Sequence, residues 1–209
     1  MLQRVSFPVA GTEIEGILHL PDGETLGGVA VVGGRNGDIE AGAALCTAIS
    51  DAGVAALRFA WRVPDDIKAA LADVAGAIRL LRAHPGVPQQ AGIVGHSYGG
   101  AVAAIAAGRD SRLRAAVLIV PPAEREYFGA LKPMAELSRT RARVLILAAG
   151  ADEIVAPEDA ERYAALLRQA GVTHRLVTIE GADHEFFAPE HRLQAERAVT
   201  AWLREAFAA

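Results

Sequence analysis

Short apolar runs that alternate with helical patterns constrain the fold of this chain more than any other feature. Residues 28–32 are continuously apolar, which is typical of a strand buried on both faces of a sheet. Comparable strand-like runs follow at residues 54–59, 91–95, 115–120, 144–148 and 173–179. Helical patterns separate them, at residues 39–52, 66–84, 157–169 and 189–208, together with a helix that begins just after residue 97. This alternation predicts an α/β fold with a mainly parallel sheet and helices on both faces.

Two further β-rich runs precede this series, at residues 4–9 and 13–20, with a turn at Ala10-Gly11-Thr12 between them. They predict an N-terminal antiparallel hairpin, which brings the expected sheet to eight strands. We expect His19 on this hairpin to face solvent. The length of 209 residues predicts one domain spanning 1–209, with residues 121–140 as a short cap-like segment.

Composition and charge narrow the class of protein. The chain is 52% hydrophobic and 22% charged, with a formal net charge of -4, which argues against nucleic-acid and anionic-membrane partners. No apolar run is long enough to span a bilayer, and the N-terminus lacks a secretion signal, so we expect a cytoplasmic protein. A single cysteine, Cys46, excludes an internal disulfide, and its apolar surroundings predict a buried thiol. The sequence indicates no metal and no cofactor, and leaves a homodimer open.

The best candidate for chemistry is Gly95-His96-Ser97-Tyr98-Gly99, where an apolar strand meets a helix rich in small residues. Gly-x-Ser-x-Gly in this setting indicates a nucleophile elbow, a sharp turn that exposes the serine oxygen. Glycines are required on both sides because a larger residue would collide with the neighbouring strand or helix. In such an elbow we expect the His96 side chain to point away from the site.

Two later loops supply partners for Ser97. Asp152 follows the strand at residues 144–148, with Glu153 and Asp159 as nearby alternatives for the acid, and His184 follows the strand at residues 173–179. A histidine can take the serine proton, and a carboxylate can fix its tautomer. We interpret Asp183 as a turn residue or an outer contact, since it is too close to His184 in sequence to orient it. The chain order is thus serine, acid, histidine, each after a different strand.

With these motifs the chain resembles the α/β-hydrolase superfamily, and is similar to its small esterase and dienelactone-hydrolase-like branch. The resemblance rests on Gly-His-Ser-Tyr-Gly-Gly, Ala-Gly-Ala-Asp-Glu-Ile-Val-Ala-Pro and Gly-Ala-Asp-His-Glu-Phe. It implies Ser97, Asp152 and His184 as the catalytic triad. Dienelactone hydrolases proper use a cysteine nucleophile, so Ser97 favours ester chemistry over dienelactone chemistry.

An acyl-transfer site also needs donors for the oxyanion. One should be the Tyr98 N–H; for the other, in the loop after residues 28–32, we favour the Arg35 N–H over Gly34 and Asn36. Many superfamily members have His-Gly where this chain has Gly33-Gly34. The Arg35 side chain either pairs with a substrate carboxylate or turns to solvent.

Aromatic residues near the predicted strand ends are candidates for the substrate pocket. Trp61, with Arg62, either lines its mouth or packs under the Gly33 loop. Tyr127 and Phe128 are either pocket walls or helix-packing residues. Because the cap-like segment is short, the pocket should be open and suited to small or medium acyl groups.

The leading hypothesis is therefore a serine hydrolase of carboxylic esters. The same triad could act on thioesters, lactones or short peptides instead. The departure at Gly33 also leaves a hydrolase-like binding protein with little turnover as an alternative.

Overall fold

The computed structural model describes residues 1–208, apart from the side chains of Ala41 and Tyr127. Eight strands form one sheet: β1 Leu2–Val9, β2 Thr12–His19, β3 Gly28–Val32, β4 Ala55–Phe59, β5 Ala91–His96, β6 Leu113–Ile119, β7 Arg143–Ala149 and β8 His174–Ile179. Six α-helices accompany it: α1 Ala43–Asp51, α2 Ile67–Ala83, α3 Tyr98–Arg109, α4 Pro133–Leu137, α5 Pro157–Gln169 and α6 Pro189–Ala208.

The sheet order is β1-β2-β4-β3-β5-β6-β7-β8. β1 pairs with β2 and β2 with β4 antiparallel, and all other neighbours are parallel. Ala10 and Gly11 form the two-residue turn of the hairpin, and both have positive φ, as a type I′ turn requires. The predicted α/β fold, with an eight-stranded, mostly parallel sheet and an N-terminal hairpin, is confirmed.

Helices cover both faces of the sheet because its central strands are apolar on both sides. All residues of β3 and β4 are buried. α2, α3 and α5 pack on one face, where they share a core with apolar side chains of the hairpin, and α1 and α6 pack on the other face. Cys46 of α1 is buried in the second layer, as expected, and burial raises the pKa of its thiol to about 12.

The strand order reverses direction between β3 and β5. The chain runs from β3 outward to β4, returns through α2 to β5, and then adds strands on the other side. In open α/β sheets, ligands bind outside the carboxyl ends of the strands at such a switch point. The loop after β3 and the turn after β5 therefore meet where a site is expected.

Three details of the fold differ from the sequence predictions. The helix predicted over residues 39–52 begins as a 3-10 turn at Glu40–Gly42, and α1 proper starts at Ala43. β6 ends at Ile119 because Val120 adopts a φ of 43° and leaves the strand. His19 does not face solvent: it is buried, and its Nε2 accepts a hydrogen bond from Arg58 Nε at 3.0 Å.

Candidate active site

Ser97 occupies the turn between β5 and α3 with φ 55° and ψ -119°. This is the left-handed region that residues other than glycine rarely adopt, and such strain concentrates at functional sites. A Cβ on Gly95 would come within 2.0 Å of the Gly99 carbonyl oxygen. A Cβ on Gly99 would come within 2.5 Å of the Gly33 carbonyl oxygen. Both glycines are thus required for the backbone to turn this tightly.

Ser97, His184 and Asp152 form one hydrogen-bonded relay. Ser97 Oγ lies 2.9 Å from His184 Nε2, and His184 Nδ1 lies 2.7 Å from Asp152 Oδ2. The Asp152 and His184 residues are only 8% and 6% exposed, so their contact is shielded from water. The carboxylate accepts the proton on Nδ1, which leaves Nε2 to accept the Ser97 hydroxyl proton.

The backbone around Asp152 holds its carboxylate in place. Its Oδ1 accepts hydrogen bonds from the N–H groups of Ile154 and Val155, at 2.8 and 2.9 Å. The other oxygen is then directed to His184. Asp183, the residue before His184, is a turn residue, since its Oδ1 accepts hydrogen bonds from the N–H groups of Glu185 and Phe187. Both oxygens of Asp152 therefore have fixed partners.

The prediction for His96 was wrong, because its ring lies against the triad rather than away from it. His96 Nε2 is 2.9 Å from the His184 carbonyl oxygen, and the two rings are 5.1 Å apart. Burial lowers the pKa of His96 below its usual range, so the ring is neutral and donates its Nε2 proton to that carbonyl. The sequence signal for this contact was the place of His96 directly before the nucleophile.

Three potential metal ligands lie together near the triad. Nitrogen or oxygen atoms of His96, His184 and Glu185 lie within 4.8 Å of one another. Ser97 and Asp152 already engage both ring nitrogens of His184, and His96 Nε2 bonds to its carbonyl. The ligand atoms of His96 and His184 are thus already engaged in hydrogen bonds, and Glu185 is an exposed residue beside them.

The loop after β3 lies directly beside the elbow, as the close approach of Gly33 to Gly99 shows. Residues 34–37 form a turn in which Gly37 N–H donates to the Gly34 carbonyl oxygen at 3.2 Å. A Cβ on Gly33 would meet only the Asp38 carbonyl oxygen, at 3.8 Å. The first atom of a side chain thus fits there, so a lack of room for Cβ does not explain the glycine at this position.

Arg35 is at the surface end of this loop. Its side chain forms an ion pair with Asp65, and the two side chains are 49% and 52% exposed. The arginine lowers the pKa of the Asp65 carboxyl. Of the two alternatives from sequence, this is closer to the solvent-facing one, with Asp65 as the partner.

Trp61 does not line the mouth of a pocket but packs under the loop. It is 6% exposed, and its Nε1–H donates to the Gly34 carbonyl oxygen at 2.9 Å. Its ring meets Tyr98 edge-on, with 6.0 Å between centroids. Arg62 is also withdrawn from the mouth, because its N–H and Nε both donate to the buried Asp73 carboxylate of α2.

One part of the 121–140 segment, the helix α4, lies away from Ser97, and the predicted cap-like role of the segment stays a prediction. This helix packs at the far end of α3, where a Cβ on Gly108 would come within 2.0 Å of the Glu136 carbonyl oxygen. Ten residues of helix, about 15 Å, separate Gly108 from Tyr98. α4 therefore braces α3 and does not cover Ser97.

Phe128 is buried in the core layer of α3 and α5. It lines a groove of about 700 Å³ between the 121–140 segment and α5, which is bordered by Leu131, Met134 and Leu166 but by no residue of the relay. Packing thus accounts for Phe128, and its predicted contact with substrate stays a prediction. The predicted pocket role of Tyr127 falls on a side chain outside the described residues.

An eight-stranded sheet that presents a serine after β5, a carboxylate after β7 and a histidine after β8 defines the α/β-hydrolase class. Residues 51–207 match the family described as the dienelactone hydrolase family, and the chain belongs to that family. Membership makes the chain a hydrolase that acts on esters. The resemblance proposed from sequence is confirmed.

Several solved structures share the fold of the chain. The structure of DcsB in complex with its substrate analogue superposes with a TM-score of 0.89 at 16% identity, over 100% of both chains. Est1E from Butyrivibrio proteoclasticus gives 0.85 at 18% identity, over 99% of both chains. An esterase domain from Rhodothermus marinus gives 0.80 at 21% identity, over 99% of both chains.

No curated protein matches the chain by sequence. Among its described helices, none combines the length and the apolar character needed to cross a membrane.

Proposed function

We propose that this protein hydrolyses carboxylic esters of small or medium acyl groups through an acyl-enzyme on Ser97. The observation that carries the proposal is the relay itself. Ser97 Oγ, His184 and Asp152 are joined by hydrogen bonds of 2.9 and 2.7 Å in a largely buried setting. Nucleophile, base and orienting acid are thereby in mutual reach, as acyl transfer requires.

The relay supports a two-stage reaction. In the first, His184 Nε2 takes the Ser97 proton as Oγ attacks the ester carbonyl carbon, and the imidazolium returns that proton to the departing alcohol. In the second, His184 removes a proton from water, which attacks the acyl carbon and releases the acid as Ser97 regains its proton. Asp152 stabilises the imidazolium in both stages without becoming protonated.

The tetrahedral intermediate of each stage carries a negative oxygen that needs hydrogen-bond donors. Tyr98 supplies the first N–H of α3, immediately after the nucleophile, and the dipole of α3 favours negative charge there. We propose the Arg35 N–H as the second donor, in the loop that touches the elbow through Gly33. Gly34 and Asn36 N–H groups are the alternatives.

Two features support small or medium substrates. α4 has only five residues and packs against the end of α3 away from Ser97. The loop after β3 begins with Gly33 and Gly34, which carry no side chain that could cover the site. A site with so little cover holds a short acyl chain without a dedicated tunnel.

Lactones are the second candidate class, since the family to which the chain belongs is named for dienelactone hydrolysis. A lactone is a cyclic ester, and the same attack by Ser97 opens it. Thioesters and short peptides require the same steps and belong in the same comparison.

The test combines active-site labelling with a substrate panel. A fluorophosphonate probe should label wild-type protein stoichiometrically and should not label Ser97→Ala. Steady-state rates would be measured on p-nitrophenyl esters of increasing acyl length, with lactone, thioester and amide analogues. We expect the highest kcat/KM on short esters. A folded protein that is neither labelled nor active on any of these substrates would instead be a hydrolase-shaped binding protein.

A further inference from the structure

We propose that Trp61 is a positioning residue that aims the Arg35 N–H at the oxyanion. The inference rests on the proposed ester hydrolysis at Ser97 and assigns a role to a buried side chain outside the relay. Trp61 lies in the loop after β4 and touches both segments that supply the proposed oxyanion donors: the Gly34 carbonyl and the Tyr98 ring.

The orientation of one peptide unit carries the argument. The Gly34 carbonyl oxygen accepts two hydrogen bonds, from Trp61 Nε1 at 2.9 Å and from Gly37 N–H at 3.2 Å. That carbonyl and the Arg35 N–H belong to the same peptide unit, and the described backbone contains no cis peptide. In a planar trans peptide, C=O and N–H point in opposite directions. Fixing the Gly34 oxygen on Trp61 therefore directs the Arg35 N–H to the other side of the loop.

The turn geometry agrees with this direction. Gly34 is the first residue of the turn and Arg35 the second, so the Gly34 carbonyl points into the turn and the Arg35 N–H points out of it. The start of the same loop is pressed against the elbow, where the Gly33 carbonyl oxygen leaves no room for a Cβ on Gly99. The peptide that Trp61 clamps is thus within one residue of the segment touching the nucleophile turn.

Trp61 is itself held rigidly, which a positioning residue requires. Its ring packs edge-on between Phe59 and Tyr98, at centroid distances of 5.7 and 6.0 Å. Gly37 lies against it so closely that a Cβ there would come within 2.7 Å of the ring. The next residue, Arg62, is bound through N–H and Nε to Asp73, which is fully buried in α2.

The decisive substitution is Trp61→Phe, which removes the Nε1–H donor and keeps an aromatic ring. Removing an oxyanion donor outright lowers kcat by about 10²–10³, so a donor that is present but less well aimed should cost about 10-fold. We expect kcat to decrease while KM changes less than about 2-fold, because the donor acts mainly in the transition state. A trifluoromethyl ketone forms a tetrahedral adduct on Ser97. Its affinity for Trp61→Phe should decrease in proportion to the decrease in kcat.

Trp202→Phe is the matched control. Trp202 is the other tryptophan of the chain and is also buried, in α6, and its Nε1 has no hydrogen-bond partner among the described residues. This variant bears the same loss of ring area as Trp61→Phe. We expect its kcat and its affinity for the ketone to match wild type.

A double variant tests whether Trp61 acts through Arg35. Arg35→Pro removes the N–H itself, and proline is favoured at the second position of such a turn. It should lower kcat by about 10²–10³. Adding Trp61→Phe to Arg35→Pro should cause no further loss, since the donor that Trp61 aims is already absent.

Three outcomes decide whether Trp61 positions the Arg35 N–H. A kcat loss in Trp61→Phe that vanishes in the Arg35→Pro background supports the proposal. Wild-type kcat and ketone affinity in a folded Trp61→Phe overturn it, as do losses that simply multiply in the double variant. If Trp61→Phe does not fold, the ketone affinity of Arg35→Pro alone decides, and wild-type affinity overturns the proposal. Active wild-type protein keeps these results separate from failure of the proposed function.

Discussion

At the residue scale, the elbow depends on two glycines more than on any side chain that does chemistry. Gly95 and Gly99 each leave no space for a Cβ, and the atoms they would meet belong to the backbone rather than to a flexible side chain. A methyl group there can be relieved only by moving α3 away from β3 and β5. That movement would carry Ser97 away from His184.

Gly99→Ala should therefore abolish fluorophosphonate labelling and lower the free energy of unfolding by about 1–3 kcal/mol, the usual cost of overpacking a core. Gly23→Ala is the matched control, since a Cβ on Gly23 meets nothing within 4 Å. Chemical denaturation and probe labelling would measure the two effects. A labelled, stable Gly99→Ala would contradict the role given to this contact.

A second residue-scale feature is the buried His19, whose Nε2 accepts from Arg58. Burial, then the nearby Arg58 charge, lower the pKa of His19 below its usual value of about 6.5. As the pH falls below about 6.5, the unfolded chain therefore binds a proton at His19 that the folded chain does not yet bind. Stability is full above that pH and falls as the pH drops toward the lowered value.

His19→Gln keeps an acceptor for Arg58 and removes the titration. We expect its unfolding free energy to decline less than that of wild type between pH 7 and 5, as followed by urea denaturation at several pH values. Equal slopes in the variant and the wild type would show that His19 does not contribute to acid sensitivity.

Sequence reasoning located the three relay residues because each follows a strand, and parallel strands end at one edge of the sheet. It missed the contacts of His96 and His19 for a related reason. Whether the side chain of a residue at the end of a strand is buried depends on the elements that pack there, and a single sequence does not specify those neighbours. Trp61 was left between two roles because its Nε1–H partner, Gly34, is remote in sequence.

At the scale of elements, the loop after β4 is tied to α2 by a buried ion pair. The Asp73 carboxylate is fully buried and binds the N–H and Nε of Arg62, whose side chain is 20% exposed. Removing one partner of such a pair leaves the other without compensation. The tether also fixes the residue that follows Trp61.

Asp73→Asn should lower the free energy of unfolding by about 2–4 kcal/mol, at the lower side of buried pairs because Arg62 keeps some access to water. Asp22→Asn provides the contrast. Asp22 pairs with the N-terminal amine at the surface, with a side chain 98% exposed, and its loss should be within error. Thermal and urea unfolding would compare the two variants. Equal stability would show that the ion pair between Arg62 and Asp73 does not stabilise the protein.

Most element types were predictable, and the boundaries were less so. The eight strands follow from apolar runs and turn residues, and the bounds predicted for α5 and α6 match the structure. The helix predicted from residue 39 begins later, because the Asp38 side chain accepts from Glu40 N–H and a 3-10 turn comes first. The position of α4 could not be predicted, since it depends on the contact of Glu136 with Gly108.

At the scale of the whole molecule, the site exists because the sheet changes direction between β3 and β5. That reversal brings the loop after β3 beside the turn after β5. Strands β7 and β8 then add Asp152 and His184 at the same edge. Residues spread over nearly ninety positions, from 97 to 184, thus become one relay.

We propose that this relay makes Ser97 a covalent nucleophile. Intact-protein mass spectrometry of acid-quenched mixtures with a p-nitrophenyl ester would test it most directly, with peptide mapping to locate the adduct. We predict the mass of one acyl group on Ser97 in the wild type, a slower-decaying adduct or none in His184→Ala, and none in Ser97→Ala. Turnover of the ester with no adduct at any quench time, or an adduct on another residue, would exclude an acyl-enzyme on Ser97.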